Sequence, residues 1–375
     1  MENFVVSARK YRPQIFDSVV GQSHITTTLK NAFKQNHLAQ AFLFCGPRGV
    51  GKTTCARILA KTINCFAPTE NTESCGKCES CKSFDENHSF NIHELDAASN
   101  NSVEDIRNLV EQVRYAPQVG KKSVYIIDEV HMLSQSAFNA FLKTLEEPPA
   151  HATFILATTE KHKIIPTILS RCQIFDFKRI QVEDIAQHLA KIAKEEGIEA
   201  EPDALHIIGQ KADGALRDSL SMFDRIVSFS NHKITYQDTI DNLNILDYDY
   251  YFRVVDLMLE SNIHQLLMVF NEVLEKGFDG HNFIVGLAEH FRNLLVCKDE
   301  VTLKLLEVGQ NIKAKYLEQS KAADTALLIQ ALEIAQTCDI QYKSSKNQRL
   351  HTEIALMQLA SINSNLGVKK KVAQG

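Results

Sequence analysis

The chain has 375 residues, which is more than one ordinary hydrophobic core accommodates, so we expect roughly two or three domains. Hydrophobic residues make up 44% of the sequence, a normal proportion for a folded globular protein, and the net charge of -5 excludes an overall basic field for binding nucleic acid. Any contact with DNA is therefore expected from a local patch, from a subset of subunits or from partners.

The N-terminal residues, Met1 to Pro13, contain charges but no apolar stretch of the kind found in signal peptides. No apolar run approaches the roughly 18 residues that span a bilayer. We therefore expect a cytoplasmic protein. In a reducing compartment, clustered cysteines among the nine of this chain are more readily explained as metal ligands than as disulfides.

The first 178 residues alternate short apolar segments with helical patterns, which predicts a parallel sheet covered by helices. The apolar segments are rich in Val, Ile and Leu without polar alternation, as is typical of strands buried on both faces. Lys52–Asn64 and Gln135–Leu145 are predicted helices. The strand candidates are Ala41–Cys45, Asn91–Asp96, Ser123–Asp128, Thr153–Thr158 and Gln173–Phe177.

The first predicted strand runs into a glycine-rich loop that opens a predicted helix. Its sequence is Gly46-Pro47-Arg48-Gly49-Val50-Gly51-Lys52-Thr53, followed by Thr54. This matches G-x-x-x-x-G-K-[ST] in the strand–loop–helix context that a phosphate-binding P-loop requires, whereas a chance glycine-rich turn is the alternative. The glycines let backbone N–H groups point at phosphate oxygens, and the helix N-terminus adds the positive end of its dipole. We expect Lys52 to reach the β- and γ-phosphates of ATP, Thr53 to bind Mg²⁺, and Thr54 to belong to the same nucleotide site.

Four cysteines follow the P-loop helix: Cys65, and then Cys75, Cys78 and Cys81 in a C-x-x-C-x-x-C run. Four thiolates on short loops suit tetrahedral Zn²⁺ and leave no open position for a substrate water. The triple run also has iron–sulfur spacing, but the fourth cysteine lies upstream and no electron-transfer motif accompanies it. We predict a structural zinc module at about residues 65–81, with an iron–sulfur cluster or reduced thiols as alternatives. The other cysteines are predicted to be buried apolar side chains: Cys45, Cys55, Cys172, Cys297 and Cys338.

Asp128 and Glu129 stand at the end of another predicted strand. Both carboxylates are therefore expected at the carboxyl edge of the sheet, where α/β proteins bind ligands. Asp128 is expected to share the Mg²⁺ ion with Thr53, and Glu129 to orient and deprotonate the attacking water. Two solvated acids at a strand end are the alternative, which the P-loop makes the weaker one.

Strand signals stop after Phe177, and almost everything from there to residue 366 is predicted to be helical. Residues 179–242 are predicted to form a small helical domain that includes the helices Val182–Glu196, Pro202–Ala212 and Leu216–Ser228. Residues 243–366 are predicted as a second helical domain, with breaks at Gly277–Gly280 and near Gly309. The basic residues 367–375 lack apolar periodicity and are predicted to form a flexible tail.

Several short segments outside the P-loop are distinctive: Lys10-Tyr11-Arg12-Pro13, Asp17–Gln22, Asp128–Leu133 (DEVHML), Leu142–Pro149 (LKTLEEPP) and Ser170-Arg171-Cys172. These segments resemble the AAA+ clamp-loader ATPases of bacterial DNA polymerase III, the gamma/tau family. The resemblance is close over roughly residues 4–240. It implies an α/β P-loop NTPase (AAA+) domain with an inserted zinc module, followed by a helical lid and an all-α collar domain.

The resemblance also implies roles for individual residues. Thr159, with Thr158 as its alternative, stands where these proteins place sensor 1, which contacts the γ-phosphate or the lytic water. Arg171 matches the arginine finger that reaches a neighbouring subunit's ATP, and Arg217 matches sensor 2, which touches ATP in its own subunit. As isolated residues, both arginines would more often be surface salt-bridge partners. The residues implied on the adenine side are Arg12, Pro13, Val20 and Gly21.

An assembly is implied as well. Residues 243–366 would form the collar that joins five subunits in a ring, although an independent helical bundle or a peptide-binding domain is the alternative. The implied partners are the delta and delta-prime subunits, further copies of this subunit, the sliding clamp and primer-template DNA, in a nucleoid-associated bacterial complex. Lys143 and the loop after Asp96 would contact DNA, but this loop carries Asn100 and Ser102 where some relatives have basic residues.

These features predict an ATP-hydrolysing clamp-loader motor that uses ATP, Mg²⁺ and structural Zn²⁺. The family is classed with DNA-directed DNA polymerases, which are transferases, but no polymerase carboxylate constellation is apparent in this chain. One alternative is a non-hydrolysing stator of the delta-prime type. Another is a different AAA+ DNA motor, such as a branch-migration helicase.

Overall fold

The computed structural model describes residues 6–86, 88–117, 120, 122–230, 233–306 and 308–372, with backbone only at 310 and 364–372. The chain divides into two compact units. The first consists of Met1–Gly197 and Ile208–Arg225, and the second of Ile198–Ile207 and Ile226–Gly375.

The first unit contains a five-stranded parallel sheet. In chain order the strands are β1 (Ala41–Cys45), β2 (Ile92–Asp96), β3 (Ser123–Asp128), β4 (Ala152–Thr158) and β5 (Gln173–Asp176). Their order in the sheet is β2-β3-β4-β1-β5. Every residue of β1 and β4 is buried, as the uninterrupted apolar runs predict. Because the strands are parallel, the residues that follow β1, β3 and β4 all lie at one edge of the sheet.

Helices cover both faces of this sheet. Alternate residues of β1 point to opposite sides: Phe42 and Phe44 pack with Leu59, whereas Leu43 packs with Phe141 in a separate apolar cluster. The predicted parallel α/β core is thereby confirmed. The α-helices before residue 200 are α1 (Ser7–Lys10), α2 (Ser23–Lys34), α3 (Lys52–Asn64), α4 (Glu79–Asp85), α5 (Val103–Val113), α6 (Gln135–Glu146), α7 (Pro166–Leu169) and α8 (Val182–Glu195). Short 3-10 helices lie at Phe16–Ser18, Val130–Met132 and Lys161–Lys163.

The second unit contains a helical core and one small sheet. The strands β6 (Glu199–Ala200) and β7 (Lys233–Ile234) pair in parallel, so the prediction of no strand after Phe177 is wrong. Strands of two residues are too short to show an alternating pattern in the sequence. Residues 208–225, which include most of α10, belong to the first unit. In chain order the helices from residue 202 onward are α9 (Pro202–Lys211), α10 (Leu216–Phe229), α11 (Tyr236–Leu243), α12 (Tyr248–Leu259), α13 (Ile263–Glu275), α14 (Gly280–Val296), α15 (Gln310–Ala322), α16 (Thr325–Tyr342) and α17 (Gln348–Val372), with a 3-10 helix at Thr302–Leu305.

The helix ends in the C-terminal part follow the predicted breaks. Helix α13 ends just before Gly277, whose φ of 84° lies in the left-handed region, and α14 begins at Gly280. Helix α17 continues to Val372, so most of the predicted tail is helical, and residues 373–375 lie outside the described part. Among the described residues, no helix combines the length and apolar character that crossing a membrane requires. The domain boundaries near 178 and 242 stay predictions.

Candidate nucleotide-binding site

The loop between β1 and α3 has the backbone of a phosphate cradle. Gly46 and Gly49 have φ values of 146° and 77°. A Cβ atom at Gly46 would stand 2.5 Å from the carbonyl oxygen of Phe177, and one at Gly49 would stand 2.9 Å from the Cβ atom of Ala215. Both positions therefore require glycine for conformation and for space. The loop ends at Gly51, directly before α3 begins at Lys52.

Lys52 points into this loop. Its side chain is buried, and Nζ donates hydrogen bonds of 2.7 Å to the carbonyl oxygens of Gly46 and Pro47. Burial lowers the pKa of Lys52, although the nearby carboxylates of Glu129 and Asp128 oppose that effect. The ammonium group is thus already inside the cradle, where it can exchange the two carbonyl oxygens for phosphate oxygens.

Thr53 and Asp128 meet at the carboxyl edge of the sheet. The hydroxyl of Thr53 donates a 2.6 Å hydrogen bond to Oδ2 of Asp128. The other carboxylate oxygen of Asp128 accepts a 2.9 Å hydrogen bond from the backbone N–H of Glu129. A hydroxyl and a carboxylate oxygen in direct contact are the hard oxygen ligands that Mg²⁺ prefers, so these residues fit the predicted ion.

Glu129 is held against the end of the neighbouring strand β4. Its backbone is in the left-handed region, with φ of 48°. Its Oε2 atom accepts hydrogen bonds from the hydroxyl of Thr159 at 3.0 Å and from the Thr159 backbone N–H at 3.4 Å. Thr158 faces elsewhere and pairs with Nδ1 of His131 at 3.1 Å. Of the two threonines considered for sensor 1, Thr159 is therefore the one beside Glu129.

His131 is a residue of this site that the motif analysis assigned no role. Its side chain is only 6% exposed, and Nδ1 lies 3.4 Å from Oε2 of Glu129. Its other ring nitrogen, Nε2, lies 3.3 Å from a carboxylate oxygen of Glu160. A histidine two residues after Glu129, in what the structure shows to be the Val130–Met132 turn, was the available signal.

A cavity of about 450 Å³ opens beside the P-loop, entirely within the first unit. Arg12 borders it and donates a 3.3 Å hydrogen bond to the hydroxyl of Thr54. Arg217 also borders it, and its backbone N–H donates a 3.4 Å hydrogen bond to the carbonyl oxygen of Gly49. Among the predicted nucleotide contacts, the following line the cavity: Arg12, Pro13, Val20, Arg48, Gly49, Val50, Gly51, Lys52, Thr53, Thr54, Asp128, Glu129 and Arg217.

Other predicted residues lie outside the cavity lining: Gly21, Gly46, Pro47, Thr159 and Arg171. Ile180, Leu216 and Leu220 line it without belonging to any recognised nucleotide motif, and they supply an apolar wall. The cavity therefore combines an apolar wall with the glycine-rich loop and Lys52, an arrangement that would suit a nucleotide.

Arg171 makes its contacts within its own chain. It donates hydrogen bonds to Oε1 of Glu146 at 2.6 Å and to the carbonyl oxygen of Thr167 at 2.7 Å. Its side chain is 33% exposed. The predicted action on a neighbouring subunit's ATP thus stays a prediction, with the side chain available at the surface.

The candidate DNA contacts have different surroundings. Lys143 is exposed on α6. Ser102 caps the N-terminus of α5, where its hydroxyl accepts a hydrogen bond from the backbone N–H of Asp105 and donates one to the Asp105 carboxylate. The amide of Asn100 donates to the carbonyl oxygen of Asp96. Of the three candidates, Lys143 is therefore the one that presents a positive charge to solvent.

The four predicted zinc ligands come together. The Sγ atoms of Cys65, Cys75, Cys78 and Cys81 all lie within 4.8 Å of one another. A tetrahedral ion with Zn–S bonds of about 2.3 Å places its sulfurs ~3.8 Å apart, and the Sγ atoms of Cys75 and Cys81 are separated by 4.0 Å. Backbone N–H groups of Lys77 and Cys78 lower the pKa of Cys75 to about 6, which favours the thiolate. The residues therefore fit a zinc ion.

The remaining cysteines lie outside this cluster. Cys45, Cys55, Cys297 and Cys338 are buried, as predicted, whereas Cys172 is only half-buried. Burial raises the pKa of Cys55 to about 12, which keeps that thiol neutral.

A parallel sheet with a P-loop after β1 and acidic residues at the end of β3 and directly after it defines the P-loop NTPase fold. Residues 184–232 match the family model described as the ATPase lid domain of the DNA polymerase III clamp loader subunit. Residues 21–181 match a model described as the DNA polymerase III delta subunit. Both descriptions name a subunit of DNA polymerase III.

The chain belongs to the gamma/tau family of DNA polymerase III subunits. It is 33% identical to DNA polymerase III subunit gamma of Buchnera aphidicola subsp. Baizongia pistaciae, over 96% of this chain and 98% of that relative. It is 40% identical to subunit tau of Bacillus subtilis, over 94% of this chain and 62% of that relative. The chain spans 44% to 62% of the length of three tau subunits that it matches.

A solved structure of the Thermotoga maritima RuvB Holliday junction branch migration motor is also similar. It shares 17% sequence identity, with a TM-score of 0.47 over 71% of this chain and 88% of that one. This similarity is too low to support an argument about function.

Proposed function

We propose that the chain is an ATP-hydrolysing motor subunit of a bacterial clamp loader, which places the sliding clamp on primed DNA within the DNA polymerase III holoenzyme. The observation that carries the proposal is the position of Glu129. Its carboxylate lines the same cavity as Lys52 and the Thr53–Asp128 pair, and Thr159 holds it from the adjacent strand.

In this proposal the P-loop backbone and Lys52 bind the phosphates of ATP. Thr53 and Asp128 would hold a Mg²⁺ ion, which would supply positive charge against the β- and γ-phosphates. Glu129 orients the attacking water and accepts its proton. Thr159 aligns Glu129 and reports the presence of the γ-phosphate, so that hydrolysis removes contacts that hold one arrangement of the subunit.

The apolar part of the cavity suits the adenine base. Pro13 and Val20 enter it from the N-terminal segment, and Leu216 enters it from α10. Arg217 would contact the phosphates of the ATP bound in its own subunit, as sensor 2 does in related ATPases. Its place in the cavity lining supports this role.

The partners follow from the family. Other clamp-loader subunits would join this chain in a pentameric ring through residues 243–366, and the ring would act on the sliding clamp and primer-template DNA in the cytoplasm. Arg171 would then act on the ATP of a neighbour, which a head-to-tail arrangement of subunits allows. Lys143 would contact the DNA backbone, with Asn100 and Ser102 as weaker candidates.

The cysteine cluster would bind one structural Zn²⁺ ion. Four cysteine ligands complete a tetrahedral coordination, so the ion would stabilise the loop between α3 and α4 without taking part in hydrolysis.

A stator of the delta-prime type is the second candidate, because residues 21–181 match a delta-subunit model. Such a subunit would have no need for hydrolysis. The contacts of Lys52, the Thr53–Asp128 pair and Glu129 are those that hydrolysis would use, which supports the motor.

The proposal is tested by ATP hydrolysis in a loader reconstituted with its partner subunits, with and without clamp and primed DNA. We expect strong stimulation by clamp and DNA in the wild type. In Arg171→Ala we expect this stimulation to fall by about 10³-fold or more while ATP still binds. A complete assembly that binds ATP but shows no stimulated hydrolysis would instead support the stator.

A further inference from the structure

Glu73 is a buried carboxylate in the loop between Cys65 and Cys75. It is only 5% exposed, although glutamate is rarely buried without partners. Within the loop its backbone is fixed by Thr69: the N–H of Thr69 donates to the Glu73 carbonyl at 2.9 Å, and the Glu73 N–H donates to the Thr69 hydroxyl at 3.1 Å. The position of this side chain is therefore set by the loop between Cys65 and Cys75.

The carboxylate of Glu73 leaves that loop and binds the N-terminal segment of the chain. Oε2 accepts a 2.9 Å hydrogen bond from the backbone N–H of Phe16, and Oε1 accepts a 3.1 Å hydrogen bond from that of Asp17. These N–H groups open the 3-10 helix Phe16–Ser18, whose own N-cap residue makes no side-chain hydrogen bond. A residue 57 positions away thus satisfies donors that a local cap normally satisfies.

Lys30 completes the contact. Its Nζ atom lies 2.6 Å from a carboxylate oxygen of Glu73 and 2.6 Å from one of Asp17. The side chain of Lys30 is only 17% exposed, so the pair is largely shielded from water. The carboxylate of Glu73 therefore has both a counter-charge and two backbone donors, the arrangement that a buried charge needs.

The segment that Glu73 holds continues directly into the wall of the nucleotide cavity. Phe16 anchors it in the apolar core and is 1% exposed. Val19 follows the 3-10 helix and donates its backbone N–H to the carbonyl oxygen of Phe16. Arg12 and Pro13, which precede this helix in the sequence, and Val19 and Val20, which follow it, all line the cavity.

We propose that Glu73 is a positioning residue that attaches the loop between Cys65 and Cys75 to the N-terminal wall of the nucleotide cavity. Metal binding by the four cysteines would then support nucleotide binding. This inference rests on the proposed ATP-binding function. Glu73 does not line the cavity, and its effect would pass through the 3-10 helix at Phe16–Ser18. Metal bound by the four cysteines would hold the loop, and through Glu73 the cavity wall.

The test compares Glu73→Gln with wild type in the full chain. The glutamine amide group would place N–H donors against the N–H of Asp17 or Phe16, so the wall loses its attachment. We expect the Kd for a fluorescent ATP analogue to rise about tenfold, which corresponds to ~1.4 kcal/mol. The kcat at saturating ATP should stay within about twofold of wild type, because the side chains at the phosphates are untouched.

A second readout locates the change. Amide hydrogen exchange at Phe16 and Asp17 should become faster in Glu73→Gln, while exchange in β3 stays slow. Glu70→Gln is the matched control: it removes an exposed acid from the same loop and should change neither the Kd nor the exchange. Glu73→Asp keeps the charge but shortens the side chain, and it should give a smaller rise in Kd. If Glu73→Gln does not fold, this variant decides the question.

A third experiment removes the metal. A zinc-selective chelator should raise the Kd of wild type by about as much as Glu73→Gln does, and should have little further effect on that variant, because both act through one connection. Kd values within twofold of wild type in Glu73→Gln, or in Glu73→Asp where the first does not fold, would overturn the inference. So would additive effects of chelator and variant. A wild type that binds no ATP would contradict the proposed function instead.

Discussion

The hydroxyl of Thr159 donates a 3.0 Å hydrogen bond to the carboxylate of Glu129. The two residues follow β4 and β3, which are neighbours in the sheet, so the contact joins the ends of two strands. Glu129 is the base of the proposed reaction, and Thr159 restrains its carboxylate by this hydrogen bond. The contact makes a specific prediction about which of two adjacent threonines matters.

Thr159→Val removes the hydroxyl and keeps the shape of the side chain. We expect the kcat for ATP hydrolysis to fall by about tenfold or more, with the Kd for ATP nearly unchanged, because Glu129 loses its alignment. Thr158→Val is the comparison variant: that hydroxyl contacts Nδ1 of His131 and not Glu129, so its removal should lower kcat less than Thr159→Val does. Steady-state ATPase rates with parallel nucleotide-binding measurements check this. A larger loss of kcat in Thr158→Val would assign the sensor role to Thr158.

His131 is expected to support Glu129 through its Nδ1 atom, which lies 3.4 Å from the carboxylate. Asparagine can place an amide nitrogen near the Nδ1 position, whereas glutamine reaches the Nε2 position. We therefore expect His131→Asn to retain most of the kcat and His131→Gln to lose about tenfold, with unchanged Kd for ATP. Equal kcat values for both variants and wild type would show that His131 only fills space.

The contrast between Lys52 and Glu73 explains which parts of the site were predictable from sequence. The P-loop, β1 and α3 are local: one stretch of chain determines them, and the predicted bounds of β1 and α3 agree with the structure. Glu73 meets Phe16 across 57 positions and belongs to no motif, so nothing in the pattern indicated the contact. The strands β6 and β7 were missed for a related reason, because two residues carry no periodicity.

The role of Arg171 illustrates another limit. Its own chain provides Glu146 as a partner, while its proposed target lies on a different subunit. The proposed target is the ATP of a neighbouring subunit, which the sequence of one chain does not describe. The role therefore follows from family resemblance alone.

The cysteine cluster predicts about one bound zinc ion per chain. Cys78→Ser should reduce the zinc content, measured by elemental analysis of the purified chain, to near zero, because a tetrahedral site loses one of its four ligands. Cys172→Ser is the control, since Cys172 lies outside the cluster, and it should keep the full content. Iron in place of zinc in the wild type would support the iron–sulfur alternative.

Glu146 holds Arg171 in its own chain and should restrain the proposed finger. An ion pair with both side chains partly exposed contributes at most about 1 kcal/mol, so Glu146→Gln should raise stimulated ATP hydrolysis in the assembled loader by up to about fivefold. The isolated chain should show no change. Glu147→Gln, which removes the adjacent exposed acid, is the control. A fall in the stimulated rate would show that Glu146 orients Arg171 for its target.

The burial of His290 predicts that the stability of the second unit depends on pH. Its Nε2 atom donates a 3.0 Å hydrogen bond to Oε1 of Gln319, and Nδ1 accepts a 2.8 Å hydrogen bond from the hydroxyl of Tyr316. Gln319 is fixed in this orientation because its amide donates to the carbonyl oxygen of Phe252 and to Asp256. Burial lowers the pKa of His290 to about 4.

The folded state therefore keeps His290 neutral at pH values where the unfolded chain takes up a proton. The contribution of His290 to stability is fully present above its ordinary pKa of about 6.5, and it falls as the pH drops toward 4, by up to about 3 kcal/mol. Urea unfolding followed by circular dichroism between pH 4 and 7 measures this. His290→Gln should be less stable at pH 7 but should lose less stability on acidification than wild type. His264→Gln, at an exposed histidine of α13, should follow the wild-type curve. Parallel curves for wild type and His290→Gln would show that another group carries the acid sensitivity.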